Sequence, residues 1–317
     1  MRRRHKKPLL AHGLLNISNY TQLCIIEGGA AGIAATMGSA NTGRMLLPSA
    51  QALKRRHLAL LAVAVAVVIG SCRSEDQGGQ DDLRAISHAG VVRVCSTGDY
   101  LPFTYRDIRG QWSGLDIDMA ADMARRLGVT LEIVATTWSA VLQDLGKRCD
   151  VAMGGITITA DRARDALYSR PYLRDGKAAI ARCVDRSKYR SLNDIDRTGV
   201  RVIVNPDGTN AQFDRANLQH ATVIDYPDNN TIFEQIITGR ADVMITDGSE
   251  IRYQTTQHPQ LCAGDPDHPF NAIQKAYLIP LNARQTQEWV NQWLTIADND
   301  GTYAAISRKW LGRVVGP

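Results

Sequence analysis

The chain has 317 residues, with 37 lysines and arginines against 32 acids and a formal charge of +5. Basic residues ahead of Cys72 inflate that excess, so the balance gives no support to a nucleic-acid partner. An apolar share of 44% is that of a soluble globular protein, and the chain beyond Cys72 is long enough for one or two domains with a substantial core.

Residues 1–44 open on the basic cluster Arg2 to Lys7 and read as an untranslated or processed extension ahead of a true start at Met45. Within them, Gly28-Gly29-Ala30-Ala31-Gly32 has a faint likeness to a dinucleotide-binding turn. No clear strand precedes it and no acidic ribose partner follows at the required distance, so no nucleotide cofactor is expected. Residues 45–71 carry Lys54, Arg55 and Arg56, then an apolar run from Leu58, then Ile69-Gly70-Ser71 before Cys72. A basic region, an apolar region and small residues before a cysteine resemble a bacterial lipoprotein signal. The run is short for a bilayer span, and the polar stretch Arg73 to Asp82 follows it. Cleavage before Cys72, lipidation of that cysteine and residence in the periplasm or cell envelope are therefore expected, with the lipid as the sole membrane contact. Residues 72–87 read as a flexible tether.

From Val91 short apolar strands alternate with amphipathic helices, the pattern of an α/β fold with mainly parallel sheets. Strands are predicted over 91–96, 130–135 and 151–153, with helices over 116–127 and 139–145 between them. A second set follows, with strands over 200–204, 222–226 and 243–246 and helices over 210–218 and 230–238. Two similar sets imply two lobes. Helices over 285–298 and 303–311 close the chain and place Trp289, Trp293 and Trp310 on apolar faces as packing residues.

Of six cysteines, Cys24 lies in the extension and Cys72 at the signal, leaving Cys95, Cys149, Cys183 and Cys262. An even number outside the cytoplasm permits two disulfides. Cys183 and Cys262 sit at the two ends of the second lobe, where a bond would clip its entry to its exit. Cys95 and Cys149 read either as a second pair or as free buried thiols. None has zinc-site spacing, so no metal is expected.

The segments Thr97 to Phe103, Gly114 to Asp118, Gly155-Ile156-Thr157 with Arg162, Gly208-Thr209-Asn210 and Thr246-Asp247 together resemble the amino-acid-type periplasmic solute-binding proteins, family 3. Within that family, Pro171 to Lys177, Val204 to Asn210, Pro227-Asp228-Asn229, His258 to Cys262 and Lys275 to Leu278 look most like the cyclohexadienyl dehydratases. The resemblance implies two α/β lobes joined by two hinge strands, with a ligand in the cleft between them. The first lobe is expected over 88–181 and 265–317, the second over 182–264.

A zwitterionic amino acid or related carboxylate needs a fixed cation and an acceptor for its ammonium. By resemblance Arg162 is the carboxylate clamp, helped by Thr157 and by backbone N–H groups beside Gly155; the plain alternative is an exposed arginine at a helix start. Thr209 and Asn210 open a helix whose N–H groups face an anion, although Thr209 also suits an ordinary cap. Asp247 ends a predicted strand at the sheet edge where α/β ligands collect, and it resembles the family's ammonium acceptor or else a turn aspartate. Tyr100 and Trp138 are the best candidates for a wall against a ring, ahead of Asp99 and of Phe103, which reads as core. Lys177, near the first hinge, is placed to neutralise a second carboxylate unless it is simply solvated.

Two activities follow from the resemblance. A dehydratase converting prephenate or arogenate to phenylpyruvate or phenylalanine must protonate the leaving ring hydroxyl, which calls for a carboxylic acid kept protonated in a partly apolar site. The resemblance places that acid directly after Gly-Thr-Asn, where this chain has Ala211. Asp214, three residues on and on the same helix face, is a substitute donor unless it pairs with Arg215 or Arg182 at the surface. The alternative is a non-catalytic amino-acid receptor serving an ABC permease, which Ala211 favours. Neither activity needs a cofactor.

Overall fold

Two five-stranded sheets carry the fold in a computed structural model that describes residues 82–317. The extension, the signal segment, Cys72 and the tether as far as residue 81 lie outside the described residues. Asp82–Ala89, expected as tether, is a helix whose Ile86 is buried in the first core.

The first sheet runs in the order Thr130–Ala135, Val91–Ser96, Val151–Ala152, Leu278–Pro280, Ala166–Tyr168. Its first three strands are parallel, and Leu278–Pro280 is antiparallel to both neighbours. The second sheet repeats this plan as Thr222–Asp225, Arg201–Val204, Val243–Asp247, Lys177–Arg182, Leu261–Ala263. Three parallel strands are again followed by an antiparallel pair. Between the lobes the chain crosses twice, through Leu173–Asp175 and Ile273–Lys275, which pair antiparallel as a two-stranded hinge ribbon. The expected boundary between residues 181 and 182 cuts the strand Lys177–Arg182, all of whose ladder partners belong to the second sheet. Alanine is a poor strand former, which hid Lys-Ala-Ala-Ile-Ala-Arg from a propensity reading.

Each lobe buries its own core. On the helix Leu115–Leu127, Leu115, Met119 and Met123 fall at four-residue spacing on one face and are fully buried, and Gly128 ends the helix in the left-handed conformation at φ 71°. Trp293 fills the centre of this core and donates its Nε1–H to buried Asp122 at 2.8 Å, while Trp289 and Trp310 pack at its edge. In the second lobe Ile180, Met244 and Ile251 form the corresponding centre. Cys183 is bonded to Cys262, and Cys95 to Cys149, so the free-thiol alternative for the second pair is set aside. That bond ties the end of Val91–Ser96 to the residue pair ahead of the neighbouring strand Val151–Ala152.

Candidate functional site

The cleft is built where the carboxyl ends of both sheets meet the hinge ribbon. Val243–Asp247 is buried along its whole length between Arg201–Val204 and Lys177–Arg182. Its last residue, Asp247, meets Tyr100 of the first lobe and is the ladder partner of Lys177, while Thr246 turns to Asn210 and Glu250 within the second lobe. Lys275 ends the second hinge strand opposite Leu173. Both lysines are buried, at 2% and 1% exposure, so the hinge itself delivers two cations into the cleft.

Asp247 is their common partner. Lys177 Nζ lies 2.7 Å from Asp247 Oδ1; Lys275 Nζ and the Tyr100 hydroxyl close on Asp247 Oδ2. Burial alone would raise the Asp247 pKa, but the two ammonium groups hold it well below the usual carboxylate range. Lys177 is pushed down by burial. It also donates to Thr209 Oγ1 at 3.2 Å and to Asn210 Oδ1, and Asn210 Nδ2 donates to Thr246 Oγ1 at 2.9 Å. Lys275 Nζ reaches Thr157 Oγ1 at 3.2 Å and the Tyr100 hydroxyl at 3.3 Å.

The first lobe supplies the other wall. Arg162 sits on the short helix Ala160–Asp165, which Thr159 caps by accepting from Arg162 N at 3.3 Å. Its Nη1 donates to the Thr157 carbonyl at 3.0 Å, its guanidinium lies 6.0 Å over the Trp138 ring, and burial lowers its pKa. Tyr100 stacks on Phe103 at 5.2 Å and meets Trp138 edge-on at 5.7 Å, and burial raises its hydroxyl pKa well above the usual tyrosine range. Phe103 is wholly buried beneath Tyr100. Buried Asp116 accepts from Gly155 N, from Tyr172 at 2.8 Å and from Tyr277 at 3.1 Å, and so fixes the loop that bears Thr157. Only glycine fits at 155: φ is +67°, and a Cβ would stand 2.6 Å from Phe103 and 2.7 Å from Tyr100.

Tyr100, Trp138, Gly155, Thr157, Arg162, Thr209, Asn210 and Asp247 therefore line one cavity, and Lys177 braces it from behind Thr209 and Asn210. Asn205, Asn229 and Lys275 also line it; the sequence marked them only as parts of the resembling segments, with no binding role. The space within it is about 30 Å3, room for a water or two, so an amino-acid-sized ligand fits only when the lobes or the lysines part.

Neither Ala211 nor Asp214 lines the cavity. Ala211 is fully buried and its methyl group does not line the cavity. Asp214 is also fully buried, not paired at the surface. Arg215 bonds Asp225 at 2.8 Å, and Arg182 lies 2.8 Å from Asp185 and 3.6 Å from Asp242. Burial pushes Asp214 up to about 8, but neither carboxyl oxygen has a hydrogen-bond partner among the described residues, and it does not line the cavity.

A second buried acid, also outside the cavity lining, lies behind it and is linked to the lining residue Asn210 through Thr246. Glu250, 1% exposed on the helix Gly248–Gln257, takes a hydrogen bond from the Thr246 hydroxyl, the same oxygen that accepts from Asn210. Burial, reinforced by the Asp247 charge and only partly offset by the Thr246 bond and the two lysines, pushes it up to about 8. A capping-box spacing, Asp247-Gly248-Ser249-Glu250, marks the start of this helix and was the available signal. Asp247 nevertheless makes no side-chain cap, and Glu250 turns to Thr246.

Two lobes of three parallel and two antiparallel strands, hinged by a ribbon and closing on an arginine, two lysines and an aspartate, define a two-lobed solute-binding protein. The family model for bacterial extracellular solute-binding proteins, family 3, matches residues 92–313, and the chain belongs to that family. Over 257 residues it is 44% identical to the cyclohexadienyl dehydratase of Pseudomonas aeruginosa, covering 81% of this chain and 94% of that one. It is 25% identical over 267 residues to the L-cystine-binding protein TcyJ of Escherichia coli, covering 82% and 98%. A crystal structure of AncCDT-1, an ancestral amino-acid-binding protein described as a precursor of cyclohexadienyl dehydratase, superposes with a TM-score of 0.68 at 31% identity, covering 73% and 99%.

Proposed function

We propose that this protein is an exported cyclohexadienyl dehydratase that takes prephenate, and less readily arogenate, in the interlobe cleft. The carrying observation is Glu250, a buried carboxyl held protonated at neutral pH and joined through Thr246 and Asn210 to a cleft lined by cations. The likeness to the Pseudomonas enzyme supports the same reading.

Prephenate bears two carboxylates on one ring carbon side and a hydroxyl on the opposite carbon. Arg162, Thr157 and Lys275 lie together and suit the carboxylate end, with the ring against Tyr100 and Trp138. The hydroxyl then faces the Asn210, Thr246 and Glu250 side. A dicarboxylate competes with Asp247 for its lysines, which opens the space the closed cleft lacks. The ring carboxylate leaves as carbon dioxide, its bonding pair completes the aromatic ring, and the C–O bond breaks as the Thr246 hydroxyl, turned toward the opened cleft, gives its proton to the leaving hydroxyl to make water and takes the Glu250 proton in its place. Solvent reprotonates Glu250.

An amino-acid receptor for an ABC permease is the second reading, supported by the amino-acid-binding relatives. It requires Asp247 to accept an ammonium, and Lys177 and Lys275 already occupy that carboxylate. The same commitment disfavours arogenate, whose amine lacks that acceptor.

Incubation of the purified protein with prephenate and with arogenate, followed by ultraviolet absorbance of the aromatic product, tests the proposal. Turnover of prephenate ahead of arogenate is expected. No turnover together with tight binding of an amino acid would replace it with the receptor. Synthesis from Met45, cleavage before Cys72 and lipidation at Cys72 complete the reading; N-terminal sequencing of the precursor that found residues ahead of Met45 would remove the first of these.

A further inference from the structure

A second cavity, of about 230 Å3, adjoins the hinge ribbon and shares no residue with the cleft. The helix Gly248–Gln257 and the loop bearing Pro269 wall it from the second lobe. Leu311 and Val315, which pack on the first core, wall it from the other. Three arginines reach it. Arg252 is committed, lying 2.6 Å from Asp267 and donating to the Pro266 carbonyl at 2.9 Å. Arg174 and Arg313 are exposed, and neither side chain has a carboxylate partner among the described residues. The remaining acid, Asp175, is taken up by Ser249 and by the Gly176 N–H at 2.9 Å. Two uncommitted guanidinium forks over a partly apolar floor match a carboxylate on an apolar body.

We infer that this hinge cavity is a second ligand site, for a small carboxylate with an apolar body, and that its occupancy favours closed lobes. Both lobes furnish its walls, so its width depends on the angle between them. It measures about 230 Å3 in the conformation in which the cleft measures about 30 Å3 and Tyr100 bonds Asp247 across the lobes. A ligand that fits this conformation stabilises it over the others, and by linkage a ligand in the cleft tightens binding at the hinge.

The probe is benzoate, titrated calorimetrically into the purified Arg162→Ala protein so that the cleft clamp does not contribute. Saturable binding is expected, weakened about tenfold or more by adding Arg174→Gln and Arg313→Gln, two exposed positions whose replacement leaves the thermal midpoint unchanged. No saturable binding, or equal binding after both replacements, overturns the site. Small-angle scattering of the Arg162→Ala protein reads closure: a smaller radius of gyration with benzoate is expected, and an unchanged or larger radius overturns the coupling. Should the double replacement unfold the protein, Val315→Trp, which fills the cavity from the other wall, abolishes benzoate binding if the site is real and leaves it intact if it is not.

Discussion

Lys177 Nζ lies 2.7 Å from Asp247 Oδ1 while Lys275 holds the other oxygen of the same carboxylate, so the aspartate at the ammonium-acceptor position serves here as the counter-ion of two hinge lysines. All three side chains are buried, at 2% exposure or less. With Arg162 beside them, the described cleft carries more positive than negative charge, and Glu250 and Asp214, both held near 8, add none at neutral pH. Such a cleft suits a ligand with two carboxylates better than a zwitterion.

Replacing Asp247 by Asn leaves two buried ammonium groups without a counter-ion. Loss of one partner from a buried ion pair costs about 3–5 kcal/mol, so Asp247→Asn lowers the urea unfolding free energy by about 3 kcal/mol or more at neutral pH. Adding Lys177→Met recovers part of it. Equal stability of Asp247→Asn and wild type would show that the lysines are not held by this carboxylate.

Arg162 is half-buried and anchored to the Thr157 carbonyl, with its fork toward the cavity. Hydrogen bonds to charged groups contribute about 1.5–3 kcal/mol, which corresponds to roughly ten- to a hundred-fold in affinity. Arg162→Ala weakens the calorimetric affinity for prephenate by that factor and changes the thermal midpoint little.

Glu250 and Asp214 both bind their protons more tightly in the folded protein than in the unfolded chain, with folded values near 8 against ordinary carboxyl values. Between the two ranges these carboxyls hold more protons in the folded state, so the stability they contribute is greatest on the acid side and is lost as pH rises toward and through about 8. Turnover follows the protonated form of Glu250 and falls over the same upper limb. Asp214→Asn flattens part of the stability profile without removing turnover, which separates the two carboxyls.

Gly155→Ala places a Cβ within 2.7 Å of both Phe103 and Tyr100 at a φ of +67°. Overpacking and left-handed strain together cost about 1–3 kcal/mol, and the displaced ring is the one that contacts Asp247. Chemical denaturation and prephenate affinity both register the change; an unperturbed affinity would show that Tyr100 does not shape the cleft.

The parallel strands of both lobes were legible because short apolar runs, amphipathic helices and turn residues agree with one another. Arg162 and Thr209 stood out because motif and position coincide. Lys177–Arg182 was not legible as a strand, since alanines carry no strand signal and its order comes from ladders to distant Val243–Asp247 and Leu261–Ala263. Lys275 was legible only as part of the segment Lys275 to Leu278: its burial depends on pairing between hinge segments distant in sequence, not on anything adjacent to it. Glu250 was not legible because the helix Gly248–Gln257 that carries it is mostly polar and lacks an apolar stripe.

Phenylpyruvate formation from prephenate by wild type and by Glu250→Gln, with prephenate affinity measured on both, is the most direct test of the proton donor. General acid catalysis contributes about two to four orders of magnitude, so turnover is expected to fall by that much while affinity changes only a few-fold. Wild-type turnover in Glu250→Gln would contradict Glu250 as the donor.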